Sequence, residues 1–480
     1  MVDVPMGFGE VYHFSLQIYC FFFIRANILT IFAKINVFFC FFAGKLLLLQ
    51  SKMSLLSLIK SSNMRNFSKL LTSNVVAQVI GLLVYPILTR IYAPEDFGLL
   101  NLFLSIGGVL VIISVAEYYY AIVLPKEDKD ADAVLGVGFV CLIMVSVLIA
   151  ISSLFSDYIA AIFKTPSLAS YYWLMPFYVF ALGAWNLLNY WHIRQKEYNP
   201  ISRYQISQNV LSSGGKLAFG YGGILHGGMI YSVVIAPMLS LLTSVLGCRK
   251  KLQKMVREVS WNDIKKQAVV YRNFPCFVLP RSFVNILAGQ MPVLLLTPFF
   301  GAKVVGFLSL AILLGYTPIG TITRAIYQVM YQHTMDRVHS SQPIGGIFKR
   351  FLLLASIVVI PAFAILWFFL PDLTSWLLGS EWWISGEYIR WMLPWLYVSL
   401  LSCSINFLFD VFMKQQWGLF FEIVLAVMRV GGLLIGIMAN DFTLAIICYS
   451  FGTMLALVMQ IVWMLVQVHR YDCSLDNAKD

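Results

Sequence analysis

Charge is what this chain has least of. Asp, Glu, Lys and Arg make up 12% of its 480 residues, where a soluble domain carries about 25%. Acid is scarcer than base: 23 Asp and Glu stand against 34 Lys and Arg, a net charge of +11. Signatures of catalysis are missing too. There is no HExxH, no Walker lysine motif, no GxSxG, and no GxGxxG opening a helix after a strand. The eight cysteines (Cys20, Cys40, Cys141, Cys248, Cys276, Cys403, Cys448 and Cys473) form no CxxC, and most lie in apolar runs. They read as small core residues, not as disulfides or metal ligands. No basic arm with interleaved aromatics follows a soluble domain, so the excess of base does not point to nucleic acid.

What the chain does have is apolar length. It is 60% hydrophobic, with a mean hydropathy of +0.79. No soluble fold hides that much apolar surface, so the class is an all-α polytopic membrane protein. Twelve apolar segments approach the roughly 20 residues that cross a bilayer. They run over about 70–92, 98–122, 134–155, 168–191, 203–223, 227–247, 275–299, 304–329, 350–370, 388–411, 418–438 and 442–467. The first two meet in Leu82–Leu100, LLVYPILTRIYAPEDFGLL, a tight helical hairpin with a short charged turn. Pro94 and Gly98 in that turn are both residues that stop helices.

Lysine and arginine set the orientation. One set of loops holds Lys126, Lys129, Arg194, Lys196 and Arg203, a run of eight bases between Arg249 and Arg272, then Arg337, Lys349, Arg350, Lys414 and Arg470. The other set has little beyond Lys164 and Lys303. The positive-inside rule therefore expects both termini and the 248–272 linker in the cytoplasm. The linker divides the spans six and six: a bundle over 64–247, a second over 273–470, and a tail over 471–480. The second half echoes the first at an offset of 208 residues. Leu88-Thr89 matches Leu296-Thr297, and Gly98, Leu100 and Leu102 match Gly306, Leu308 and Leu310. Repeated bundles suit a transporter with its site between the halves.

Residues 1–63 look different. Ten phenylalanines fall within the first 52 residues, Lys34 interrupts the apolar stretch, and no signal-peptide cleavage site is evident. The expectation is an atypical extension, with synthesis beginning at Met53 or Met64.

Ionisable residues inside the spans are costly and so become site candidates. They are Glu117, Lys216, Arg281, Arg324, Asp410, Glu422 and Arg429, with Arg90 at the end of the first span. Lys216 and Arg324 lie in the spans best suited to a wet interior: YQISQNVLSSGGKLAFGYGG, and GYTPIGTITRAIYQVMYQ with its Pro318 and Gly320. Arg281 and Arg90 read as interfacial side chains or cavity cations. Glu422 and Arg429 share a helix face and read as a structural pair or as site groups. Asp410 reads as a partner of Lys414 at i+4 or as an ion-coupling group, and Glu117 as a carboxylate satisfied by Tyr118-Tyr119-Tyr120. Cations lining one cavity would favour anionic cargo, because Arg binds phosphate oxygens bidentately. A lipid-linked diphosphate fits, its tail remaining in the bilayer.

Tyr85-Pro86-Ile87-Leu88-Thr89-Arg90-Ile91-Tyr92-Ala93-Pro94-Glu95-Asp96-Phe97-Gly98 closely resembles the first-hairpin signature of the Wzx-type polysaccharide biosynthesis flippases. Leu377-Leu378-Gly379-Ser380-Glu381-Trp382-Trp383, leading into Tyr388-Ile389-Arg390-Trp391-Met392, is similar to that family's link between its ninth and tenth spans. The resemblance covers about residues 64–470. It implies a bacterial inner-membrane protein of the superfamily that includes multidrug exporters and the lipid II flippase, with two six-helix bundles about a central cavity. The implied cargo is an undecaprenyl-diphosphate-linked oligosaccharide for O-antigen, capsule or another surface polysaccharide. Polysaccharide polymerase and chain-length machinery would be its partners, and Arg324 its cavity arginine. The aromatic PDLTSWLLGSEWW stretch reads as interfacial belt or sugar platform. With no nucleotide motif and no cofactor expected, a sodium or proton gradient is the candidate drive. Two other readings stand beside this one. A drug exporter for cationic compounds would need acidic cavity residues. A membrane polymerase or ligase would need a large external loop.

Overall fold

A computed structural model describes residues 84–476. The readings made on residues 1–63, and most of the first span, lie outside the described residues. The described residues form helices joined by short turns, with no strand among them.

The end of the first span, α1, covers residues 84–91. The first bundle continues with α2 (Pro94–Val115), α3 (Asp128–Ser152), α4 (Met175–Arg194), α5 (Tyr198–Tyr221) and α6 (Gly228–Glu258). A continuous run from Leu279 to His339 departs from helical geometry at Gly301, where φ is 81° and ψ 164°. That left-handed conformation is open to glycine and strained for other residues, so the run is two helices, α7 (residues 279–300) and α8 (302–339). The second bundle ends with α9 (Gly345–Leu378), α10 (Trp383–Ile405), α11 (Gln415–Met438) and α12 (Phe442–Asp476). Each apolar segment within the described residues falls on one of these helices. Most are apolar all round, as helices facing lipid or a protein interior must be.

Two details of the hairpin differ from the sequence reading. Pro94 starts α2 rather than stopping α1, because the first helical position needs no N–H. The Asp96 carboxylate accepts from the Ala93 N–H at 3.1 Å and caps the same turn. Gly98 lies inside α2, and its missing side chain serves packing.

The linker is ordered structure. Helix α6 runs on to Glu258, and a further helix, Trp261–Val270, opens with a Ser260/Asp263 capping box. This helix docks on the end of the first bundle. Lys129 pairs with Asp263 at 3.0 Å, the Tyr118 hydroxyl donates to the Ala268 carbonyl at 3.2 Å, and Ile264 packs against Gly136. The same end gathers other basic loops. Arg194 donates to the Pro125 carbonyl at 2.7 Å and to Asp128 at 2.9 Å, and Lys251 pairs with Glu197. The Lys251 ammonium holds the Glu197 carboxyl below its ordinary range. At the opposite end lie Lys303, 3.4 Å from Glu95, and Lys164, above the Phe299 ring. The fold thus sorts the two sets of loops to opposite ends.

Candidate functional site

The halves of the protein meet where α2 crosses the α7–α8 hairpin. A Cβ built on Gly98 would lie 1.8 Å from the Ala302 carbonyl oxygen, and one built on Gly306 would lie 1.9 Å from that of Pro94. These contacts are reciprocal under the 208-residue offset, which relates Pro94 to Ala302 and Gly98 to Gly306. The helices therefore touch backbone to backbone across a local pseudo-two-fold. The other matched residues of the repeat are buried in both copies: Leu88 with Leu296, Thr89 with Thr297, Leu100 with Leu308, and Leu102 with Leu310.

Trp382 completes this seal. The indole N–H donates to the Thr89 carbonyl at 3.1 Å, and the Thr89 hydroxyl donates to the Leu378 carbonyl at 2.9 Å. The Trp382 ring meets Phe97 edge-on at 5.0 Å and Phe307 at 5.4 Å. One residue from the second signature motif thus grips the first motif and both crossing helices. The belt reading of the PDLTSWLLGSEWW stretch fits Trp376 and Trp383, which are half exposed, but not Trp382, which is 2% exposed.

The candidate cations separate into groups. Arg324 lines a cavity of about 400 Å³ between α8 and α10, with Thr323, Tyr327, Gln328, Ser399 and Cys403. It is exposed there and makes no hydrogen bond or ion pair with a described residue. Arg429 comes in from α11. Its guanidinium lies 5.9 Å over the Tyr449 ring, and its Nε is buried without an acceptor among the described residues. Tyr316 lines the same cavity as Arg324. An aromatic wall joins these groups: Tyr316 stacks on Trp395 at 5.8 Å, and Trp395 meets Tyr449 at 6.2 Å. The Trp395 indole N–H also lacks an acceptor among the described residues. Tyr316, Trp395 and Tyr449 were not singled out in the sequence. Aromatics in apolar spans look like core, and no spacing links residues from three helices.

The other candidates lie apart. Lys216 sits near the sealed end, 5.8 Å over the Tyr85 ring, and its carbonyl accepts from the Tyr92 hydroxyl at 2.8 Å. Arg90 and Arg281 are exposed. Glu422 accepts from the Asn285 side chain at 3.1 Å. It makes no salt bridge to Arg429, because seven residues on a helix are about 10 Å apart and each group has a nearer partner. Asp410 acts electrostatically on Tyr327 and is not paired with Lys414, whose ammonium donates to Gln467 at 2.7 Å. The i+4 geometry fails there because the helix ends at Val411 and Met413 turns left-handed, with φ 53°. Glu117 is 1% exposed. Its Oε2 has no partner among the described residues. No group of three or more metal-ligating side chains occurs among the described residues.

A family model described as polysaccharide biosynthesis protein matches residues 87–385, from the first hairpin to the second motif. No curated protein sequence matches the chain. Among solved structures, the chain is similar to an inward-facing multidrug resistance MATE family transporter of the MOP superfamily. The TM-score is 0.64 at 16% identity, over 82% of this chain and 95% of that one. An outward-facing transporter of the same description gives 0.55 at 17% identity, over 85% and 95%. The lipid II flippase MurJ in an inward closed conformation gives 0.59 at 12% identity, over 83% and 89%. Identities this low speak for the fold alone. With the family match covering most of the chain, the protein is a multi-pass membrane member of the polysaccharide biosynthesis protein family, built on the fold of these transporters.

Proposed function

We propose that this protein is a flippase, not an enzyme. It moves undecaprenyl-diphosphate-linked oligosaccharide units across the bacterial inner membrane for O-antigen, capsule or another surface polysaccharide. One observation supports this above the rest. Arg324 and Tyr316 line a cavity beside an aromatic wall that carries two buried donors without described acceptors, the Arg429 Nε over Tyr449 and the Trp395 indole stacked on Tyr316. Buried donors without acceptors are costly. An anionic, hydroxyl-rich cargo supplies the acceptors, the diphosphate to the guanidiniums and sugar hydroxyls to the indole. The aromatic wall gives sugar rings a face to pack on.

In this reading the basic end is cytoplasmic, both termini lie there, and the bundles over 64–247 and 273–470 rock about the glycine crossing. Cargo enters the cavity from the cytoplasmic leaflet. Breaking the Gly98–Ala302 and Gly306–Pro94 contacts would open the other side. Arg324 and Arg429 bind the diphosphate. Lys216, Arg281 and Arg90 are further cations along the route, and Asp410, Glu422 and Glu117 are the candidates for sodium or proton coupling. Polymerase and chain-length proteins would take the product.

The test is leaflet analysis of the lipid-linked oligosaccharide in a depleted strain complemented with wild type or Arg324→Ala. Accumulation in the cytoplasmic leaflet, relieved by wild type and not by stably expressed Arg324→Ala, is the expected result. Unpolymerised single units reaching the outer leaflet in the depleted strain would instead identify a polymerase.

A further inference from the structure

A groove among the described residues lies away from the arginine cavity. It runs between α11 and α12, has a volume of about 600 Å³, and is lined by apolar side chains along its length. Trp463 forms its floor, stacking with Trp417 at 5.4 Å and packing edge-on against Phe421 at 5.9 Å. Val462 and Met459 on its wall are about half exposed, as side chains facing hydrocarbon are. The apolar character stops abruptly at one end. There α11 begins and the antiparallel α12 finishes, placing Lys414, Gln467 and Arg470 together.

Neither cation pairs with a carboxylate among the described residues. The Lys414 ammonium donates one hydrogen bond to the Gln467 side-chain oxygen and sits 5.8 Å over the Trp463 ring, which leaves two ammonium N–H groups for an acceptor. Arg470 is exposed and has no hydrogen bond or ion pair with a described residue. The nearby carboxylate of Asp472 is occupied, accepting from the Ile344 and Gly345 N–H groups at 2.8 Å each.

A partition separates the groove from the arginine cavity. Phe409 stacks on Trp463 at 5.2 Å on the groove side, while Phe407 packs edge-on against Tyr327 at 5.5 Å on the cavity side. Both phenylalanines are buried. The groove is therefore a site of its own, and its occupant need not be the cargo.

We propose that this groove binds one anionic phospholipid of the cytoplasmic leaflet, with an acyl chain along Trp463 and the phosphate between Lys414 and Arg470. The argument is charge complementarity at a fixed depth. An apolar slot continuous with the hydrocarbon ends in two uncompensated cations at the level of the headgroups. Basic pockets between spanning helices on the cytoplasmic side select anionic lipids in this way. The inference rests on the cytoplasmic placement of the basic end and not on the identity of the cargo.

The experiment is native mass spectrometry of the full chain, purified in detergent and given equimolar phosphatidylglycerol and phosphatidylcholine with identical acyl chains. One tightly retained phosphatidylglycerol is expected. Each cation contributes about fivefold and the pair about 30-fold to the preference. Lys414→Gln with Arg470→Gln removes the preference. Val462→Trp, at a lipid-facing position, fills the groove and releases the retained lipid while leaving both cations in place. Equal retention of the two lipids by wild type, an undiminished preference in the double variant, or phosphatidylglycerol still held by Val462→Trp would each overturn the proposal. Displacement of phosphatidylglycerol by equimolar undecaprenyl phosphate would overturn it too, by making the groove a seat for the cargo's tail. No transport is read, so the flippase reading stands or falls separately.

Discussion

The two ends of this protein are held by opposite kinds of chemistry. At the hairpin end, backbone touches backbone at Gly98 and Gly306, and Trp382 closes the contact with its ring and its N–H. Toward the basic end, Arg324 is exposed, and the Nε of Arg429 and the indole of Trp395 have no described acceptor. The signature motifs that identify the family build the closed end. Arg324 and Arg429, proposed to bind the diphosphate, lie outside those motifs and in different helices.

The contrast can be broken most severely at Trp382. Trp382→Ala removes a fully buried ring and leaves the Thr89 carbonyl without its donor, for an expected loss of about 3–5 kcal/mol. A lowered midpoint in thermal unfolding of the purified protein is the readout. An unchanged midpoint would mean that the ring does not hold the two halves.

The glycine crossing gives a sharper test. Gly98→Ala or Gly306→Ala forces helix backbones apart, at about 1–3 kcal/mol each. Because the two contacts are reciprocal, separation caused by one variant relieves the other. The double variant should therefore cost clearly less than the sum of the singles. Strict additivity would show that the two contacts are independent. The singles should also leave the sealed side more accessible to a thiol reagent at an introduced cysteine.

Arg324→Ala probes the other end. It should lower transport by about 10–100-fold, the worth of a charge-assisted phosphate contact, while unfolding shifts by less than about 0.5 kcal/mol. Arg324→Lys should recover only part of the activity, since lysine cannot bind bidentately. A variant that unfolds early would make Arg324 a structural residue.

The smallest effect is expected at the linker helix. The Ser260 N–H, the Lys129 ammonium and the Ser260 hydroxyl hold the Asp263 carboxyl down at about 2, against an ordinary 3.8. A depressed carboxyl stabilises above its ordinary value, and that contribution is lost as pH falls toward about 2. Hydrogen exchange over residues 260–270 should be flat from pH 7 to 4, after correction for intrinsic rates, and should quicken below that. Asp263→Asn should exchange faster at neutral pH and lose most of the acid-dependent step.

Much of the molecule can be read without coordinates. The helices fall where the apolar segments lie, and the two sets of loops gather at opposite ends, as their lysines and arginines indicate. The offset of 208 residues, resting on a few leucines and one glycine, marks a physical crossing. The polar pairings are less legible. Lys414 is drawn to Gln467, 53 positions away, because the helix breaks after Val411. Glu422 is drawn to Asn285, 137 positions away. Trp382 reads as membrane belt until Thr89, 293 positions away, supplies its acceptor.

The sequence by itself determined that the chain lives in a membrane, where its apolar helices lie, how its basic residues divide among the loops and which family it resembles. Those properties follow from apolar length and loop charge, which are local and additive along the chain. Only the tertiary structure decided which polar groups pair, which tryptophan is buried and where the halves touch. Each of these depends on groups from separate helices arriving at one place, and a sequence holds no distance between them.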